Sequence, residues 1–279
     1  MPLATTASIV GTAPGGVCAF NIITLEHAEA VAAAAERVGT PVILQISENA
    51  VRFRLGRLAP LAAAATAIAA AAAVPVALHL DHVTDDALMY QAADAGFSSV
   101  MYDASLDPYE MNVARTRAAA EWAHENGLWL EAELGEVGGK DGAHAPGVRT
   151  DPGEAAAFVS ATGVDALAVA VGSSHAMTAR VARLDHTLIA ALRAALPVPL
   201  VLHGSSGVPD DELRRAVAAG MKKINIGTAL NVAFTEAISR SIAQNPSGAD
   251  PRPRLTAARD GMIDATAHLL RTVAQRSQV

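Results

Sequence analysis

Three short stretches of this 279-residue chain place metal-binding and proton-carrying side chains directly behind apolar runs. They are His79-Leu80-Asp81-His82, Gly172-Ser173-Ser174-His175 and His203-Gly204-Ser205-Ser206-Gly207. Three imidazoles match the ligand count of an open catalytic zinc site, which leaves a coordination position for substrate. His82, His175 and His203 follow runs rich in Val, Leu and Ala, whereas His27, His124, His186 and His268 fall in helix-favouring stretches. His79 sits inside its apolar run and reads as a core residue or as one that orients a ligand. Asp81, next to a proposed ligand, would be partly shielded from water and close to a cation, as suits a proton carrier. The alternative for Asp81 is a carboxylate that only orients the ligand.

Two further patterns add polar groups. Glu131 and Glu133 lie two residues apart in an apolar run and share one face of a strand, because strand side chains alternate. An interior rarely tolerates unpaired charge, so at least one of them must face a metal or a basic partner. Gly204-Ser205-Ser206-Gly207 and Asn225-Ile226-Gly227-Thr228 offer backbone N–H groups and hydroxyls of the kind that hold a phosphate, or else make ordinary turns.

These groups need a scaffold that brings distant segments to one place. Short Val/Ile/Leu/Ala runs alternate with helix-favouring segments eight times, as in a parallel sheet with crossover helices. The expected strands are Val17–Asn21, Pro41–Ile46, Pro75–Leu80, Ser98–Tyr102, Leu128–Leu134, Asp165–Val171, Val198–His203 and Lys222–Ile226. Gly39, Gly96, Gly127, Gly163 and Gly220 end helices just before a strand. The expected fold is a single (β/α)8 TIM barrel forming one domain over residues 1–279. In such a barrel the catalytic groups stand at the C-terminal ends of the strands, where all the polar stretches above fall. The long gap Gly135–Thr150 is glycine-rich and polar, and is either a functional loop or plain surface.

Composition narrows the function classes. Hydrophobic residues make up 51% of the chain, enough for a large core, and the formal charge is −7 with no basic block. That speaks against nucleic-acid binding, and an anionic substrate must be held locally. Cys18 is the only cysteine; it reads as a small buried apolar residue, excludes an intramolecular disulfide and suits a reducing, cytoplasmic compartment. The N-terminus has neither the charged nor the continuous apolar region of a signal peptide. Residues Leu58–Leu80 lack formal charge over a membrane-spanning length. Pro60, Pro75 and the many alanines favour a buried helix followed by a strand, and no membrane association is expected.

Taken together, the segments AFN at Ala19, HLDH at His79, GFSSVMYDAS at Gly96, EAELGEVGG at Glu131, VDALAVAVGSSH at Val164, PLVLHGSSG at Pro199, KINIGTAL at Lys223 and DPR at Asp250 resemble the class II, zinc-dependent ketose-bisphosphate aldolases. This family includes the fructose- and tagatose-bisphosphate enzymes, and the likeness covers nearly the whole chain. The resemblance implies that His82, His175 and His203 bind a catalytic Zn2+, that Glu133 approaches it in an alternative metal position, and that Asp81 is the general acid/base. It implies that dihydroxyacetone phosphate chelates the metal, with its phosphate at Gly204, Ser206, Asn225 and Thr228 beside a monovalent cation, Na+ or K+. It also implies a homodimer or homotetramer, because Arg252 resembles an arginine donated by a neighbouring subunit to the far phosphate, where Ser47 also matches. The chemistry fits independently: breaking the C3–C4 bond of a ketose leaves negative charge that a divalent Lewis acid stabilises.

The chain departs from the family pattern in places that bear on substrate. His175 is followed by Ala176 where glycine is usual, and Met177, Thr178 and Ala179 replace the common Tyr and Lys. Lys140-Asp141 stands where relatives carry glutamates, so Asp141 is the loop carboxylate expected to reprotonate the three-carbon carbanion. Thr24 stands where an Asn often holds the far phosphate. Three rivals are weighed against the metal aldolase. A Schiff-base aldolase needs a lysine at a strand end, and strand six has none. A metal-dependent hydrolase would show a His-x-His pair on the first strand. A non-catalytic sugar-phosphate-binding barrel would be marked by an empty metal site or a loop that cannot close. Within the aldolase reading the expected substrate is fructose 1,6-bisphosphate or tagatose 1,6-bisphosphate, with another phosphorylated ketose as the alternative.

Overall fold

The structure is a computed structural model that describes residues 3–135, 148–174 and 178–274. In chain order the elements are α1 (Thr6–Thr12), β1 (Val17–Asn21), α2 (Leu25–Val38), β2 (Val42–Ser47), α3 (Glu48–Phe53), α4 (Ala59–Ala71), β3 (Val76–Val83), α5 (Asp86–Met89), β4 (Ser99–Tyr102) and α6 (Tyr109–Glu125). There follow β5 (Trp129–Glu133), α7 (Pro152–Thr162), β6 (Ala166–Ala168), α8 (His186–Ala195), β7 (Leu200–Leu202), α9 (Asp210–Ala219), β8 (Met221–Ile226), α10 (Thr228–Gln244) and α11 (Arg252–Ala274). The strands pair in sequence order, all parallel, and β8 closes on β1 through Val17↔Lys223 to Phe20↔Ile226, so the sheet is a closed eight-stranded barrel. The (β/α)8 expectation holds.

Residue chemistry explains the closure. Outward positions such as Phe20, Leu44, Leu78 and Leu130 are fully or almost fully buried under the helices, the apolar covering a parallel sheet needs on its outer face. The glycines expected as helix caps all have positive φ; Gly39 at 70° and Gly163 at 72° end α2 and α7 in the left-handed conformation that costs other residues most. The uncharged Leu58–Leu80 stretch divides into α4 and β3 as expected. The helix is apolar all round but buried only along the stripe Leu61, Ala62, Ala65 and Ala69, with α2 on one side. Among the described residues no helix is long and apolar enough to cross a membrane.

The two ends of the barrel differ. At the N-terminal end Val17, Ala19, Ile43 and Ala77 pack with Ile9 and Val10 of α1. This helix, absent from the sequence expectations, plugs the bottom, anchored by Ala4 N donating to Val76 O at 3.0 Å and by the Thr6–Ser99 hydroxyl pair at 2.5 Å. Higher up, the inward positions become polar. The ammonium of Lys223 on β8 meets the carboxylate of Glu131 on β5 at 2.7 Å, and these strands are not neighbours, so the contact crosses the barrel interior. The polar half opens at the C-terminal ends of the strands.

Candidate active site and metal centre

β3 supplies the first groups. His79 and Asp81 share the inward face by strand alternation, and both are buried. His82, one residue further, would point away on a regular strand. It reaches the same cavity because the backbone breaks register between Leu80 and Val83 and because His82 adopts a φ of 49°, which a non-glycine residue holds only when its surroundings enforce it. The strand runs to Val83 rather than stopping at Leu80, so His82 lies within its last turn of pleat and not after it.

Each imidazole is oriented by a carboxylate. His82 Nδ1 lies 2.9 Å from Asp103 Oδ2, and Asp103 Oδ1 accepts from the Ser105 backbone N–H at 3.1 Å and its hydroxyl at 2.7 Å. Burial opposes ionisation of Asp103, but the hydrogen bonds from His82 and Ser105 outweigh it and hold the carboxyl well below its usual range. His203 follows β7, and its Nε2 lies 3.0 Å from Glu131 Oε1. Asn225 Nδ2 stands 3.0 Å from the same Nε2, so an acceptor and a donor both face that nitrogen, while Nδ1 faces the cavity 2.9 Å from His82 Nε2. Two imidazole nitrogens this close need a cation or a proton between them.

Glu133, at the end of β5, completes the group: ligand atoms of His82, Glu133 and His203 all lie within 4.8 Å of one another. The field there is negative. Burial works against a charged His82, yet Asp81, the hydrogen bond to Asp103, and Glu133 push its pKa up to about 10. A site that favours a proton so strongly favours a divalent cation on the same grounds, and two nitrogens with one carboxylate are donors that zinc takes. Of the two glutamates, Glu131 meets the basic partner Lys223, and Glu133 lies with His82 and His203 in the group that could hold a metal.

Asp81 completes the chemistry. Its Oδ2 accepts from Asn21 Nδ2 at 2.7 Å, and its Oδ1 is buried without a hydrogen-bond partner among the described residues, with His79 Nε2 3.9 Å away. His79 bonds Ser99 through Nδ1 at 2.7 Å, and burial, with the Lys223 ammonium next, keeps it neutral.

All of this opens on a cavity of about 1010 Å³ whose lining includes Ser47, Asp81, Glu133, Gly204, Ser206, Asn225 and Thr228. Gly204 starts a 3-10 turn, Ser205–Gly207, beside the N-terminus of α10, where Ser206 Oγ accepts from Ala229 N at 3.1 Å. Asn225 has a second engagement: its Oδ1 accepts from Lys223 at 2.8 Å. Ser47 caps α3 by accepting from Ala50 N. Arg252 is not brought to this cavity by its own chain; it stands exposed at the head of α11, paired with Asp250. His175, Ala176 and Asp141 lie outside the described residues. Asn21 and Asp103, quoted in motifs but given no role from the sequence, are functional neighbours of the site. The signal was present: Asn21 is the last residue of β1 and Asp103 the first after β4, the same strand-end position that singled out the others.

Gly204 has φ 65°, and a Cβ there would meet Ser174 O at 2.4 Å. The Gly204→Ala variant is expected to lose several degrees of Tm, since the left-handed backbone alone costs about 1–2 kcal/mol, each worth roughly 2–4 °C in a domain of this size. A melting curve superimposable on the wild type would show that the turn yields without strain.

A family model described as fructose-bisphosphate aldolase class-II matches residues 10–278. The chain is 40% identical to a fructose-bisphosphate aldolase of Geobacillus stearothermophilus over 247 residues, covering 87% of this chain and 86% of that protein. It is 37% identical to one from Thermus caldophilus over 274 residues, 88% of this chain and 89% of that one. The crystal structure of the YdjI aldolase from Escherichia coli K12 superposes with a TM-score of 0.84 at 29% identity, covering 99% of each chain. With the barrel closed, the histidine and glutamate donors converging at its C-terminal end, and the family match running almost end to end, the chain belongs to the class II fructose-bisphosphate aldolase family and is a carbon–carbon lyase.

Proposed function

We propose that the chain, as one barrel domain over residues 1–279, reversibly cleaves fructose 1,6-bisphosphate into dihydroxyacetone phosphate and glyceraldehyde 3-phosphate. The observation that carries this reading is the convergence of His82, Glu133 and His203 on the wall of a cavity that also holds Asp81. The names of the relatives support the substrate. His82, His175 and His203 would hold zinc, with Glu133 able to take an alternative position, and the bound ion supplies a Lewis acid for the charge that develops on the three-carbon fragment.

The remaining work falls to the chain's own residues. Asn21 fixes Asp81 through Oδ2, which leaves Oδ1 to take the C4 hydroxyl proton during cleavage and to return it during condensation. Asp103 on one ring, and Glu131 with Asn225 on the other, hold the two imidazoles in the orientations that face the cavity. Gly204, Ser206 and Thr228, at the N-terminus of α10, receive the dihydroxyacetone phosphate phosphate on backbone N–H groups and hydroxyls, with Asn225 at the floor and a Na+ or K+ ion nearby. Ser47 and an Arg252 from a neighbouring subunit hold the far phosphate, which makes the working form a homodimer or homotetramer. Asp141 reprotonates the carbanion. The negative chain, its single buried cysteine and its small anionic substrate suit a cytoplasmic enzyme that binds neither nucleic acid nor membrane.

Initial rates on fructose 1,6-bisphosphate, tagatose 1,6-bisphosphate and fructose 1-phosphate, with zinc-loaded protein, test this assignment. Fructose 1,6-bisphosphate is expected to have the highest kcat/KM. A preference for the tagatose epimer would overturn the substrate while keeping the aldolase, and no cleavage of any of the three by folded, metal-loaded protein would overturn the activity.

A further inference from the structure

A charged side chain at 0% exposure inside a barrel is costly unless each of its protons is matched. Lys223 meets that condition. An ammonium has three donors, and this one reaches Gln45 Oε1 at 2.7 Å, Glu131 Oε2 at 2.7 Å and Asn225 Oδ1 at 2.8 Å. Its bonding capacity is used up, which also removes Lys223 as a Schiff-base nucleophile, since no lone pair is left to attack a carbonyl.

From these acceptors the network runs on into the site. The other oxygen of Glu131 lies 3.0 Å from His203 Nε2. The amide nitrogen of Gln45 donates to Asn21 Oδ1 at 3.1 Å, and Asn21 donates to Asp81 Oδ2 at 2.7 Å. One cation thus stands two hydrogen bonds from a metal-ligand histidine and three from the proton carrier. Its sign matters at each step. Because Lys223 holds one oxygen of Glu131 and the oxygen of Asn225, the other Glu131 oxygen and the Asn225 amide nitrogen both face His203 Nε2, each at 3.0 Å. Because it also occupies the oxygen of Gln45, the NH2 of that amide must face Asn21, whose own NH2 must then face Asp81.

We propose that Lys223 is a positioning residue that sets His203 and Asp81 together, holding Glu131 and Asn225 against the ring of the one and fixing the amide relay that orients the other. The inference rests on the aldolase reading and adds a residue to it. Stability alone does not account for the arrangement, because buried ion pairs are often replaced by apolar side chains without loss.

Three variants test it: Lys223→Met, Gln45→Met and, as a control in the helix layer outside the barrel, Leu192→Ala, a buried residue of α8. Zinc affinity is measured by competition with a chelating indicator, kcat and KM at saturating zinc, and Tm on each. Lys223→Met is expected to bind zinc about 10–100-fold more weakly, the range seen when partners of ligand histidines are lost, and to lose kcat more than it gains KM. Gln45→Met cuts only the arm to Asp81, so kcat is expected to fall while zinc affinity stays at the wild-type value. Leu192→Ala is expected to lower Tm and leave both functions in place. Wild-type zinc affinity and kcat in Lys223→Met would overturn the proposal, as would losses that simply follow Tm across all three variants. Should Lys223→Met fail to fold, Gln45→Met decides: reduced kcat with intact zinc affinity supports the relay, and wild-type kcat refutes it. Wild-type protein that neither binds zinc nor cleaves the sugar would instead mark a failure of the aldolase reading.

Discussion

Asp81→Asn is expected to lower kcat for cleavage by about 10²–10⁴, the span that positioned general acid–base catalysis contributes, while zinc affinity and Tm change little. The substitution keeps the size of the side chain and an oxygen that can still accept from Asn21 Nδ2, but it removes the group able to take a proton from the C4 hydroxyl. The Oδ1 that has no hydrogen-bond partner among the described residues gives this prediction its force, because such a buried carboxylate oxygen is placed to take a proton that substrate brings. If Asp81 only oriented a ligand, the loss would appear in zinc affinity and be recovered at saturating metal. A steady-state assay at several zinc concentrations separates the two.

His203→Ala should abolish cleavage and weaken zinc binding by more than about a hundredfold, because partners behind a ligand histidine already account for 10–100-fold and this change removes the ligand. It also leaves Glu131 Oε1 without the ring it bonds, so a modest fall in Tm is expected as well. Equilibrium dialysis against zinc, followed by assay of dialysed protein, checks both parts. Retained zinc at wild-type affinity would mean that His203 is not a ligand.

Much of the scaffold was legible in the chain. The alternation of apolar runs and glycine-capped helices located all eight strands, and β1 was placed to the residue. β6 and β7 are shorter than expected because the ladder ends where the chain must turn outward: Val169–Val171 remain buried but pair through single loop hydrogen bonds, and His203 leaves the sheet to face the cavity. α1 escaped notice because its buried residues, Thr6, Ile9 and Val10, are too few to set up a period.

The site was legible wherever its residues follow strand alternation or a strand end. Lys223 could have been found as Glu131 and Glu133 were, since Lys223 and Asn225 form a polar pair two apart in an apolar strand. Its partner was beyond reach, because Glu131 lies 92 residues away and only the closed barrel brings them together. His82 is the reverse case: alternation turns it away from the cavity, and what brings it there is a register break and a left-handed backbone that no spacing rule reveals.

The most direct test of the metal aldolase is a zinc titration of metal-stripped protein, following release of dihydroxyacetone phosphate from fructose 1,6-bisphosphate. Activity is expected to be absent without metal and to rise to a plateau near one zinc per subunit. Undiminished release from the metal-free protein would contradict it.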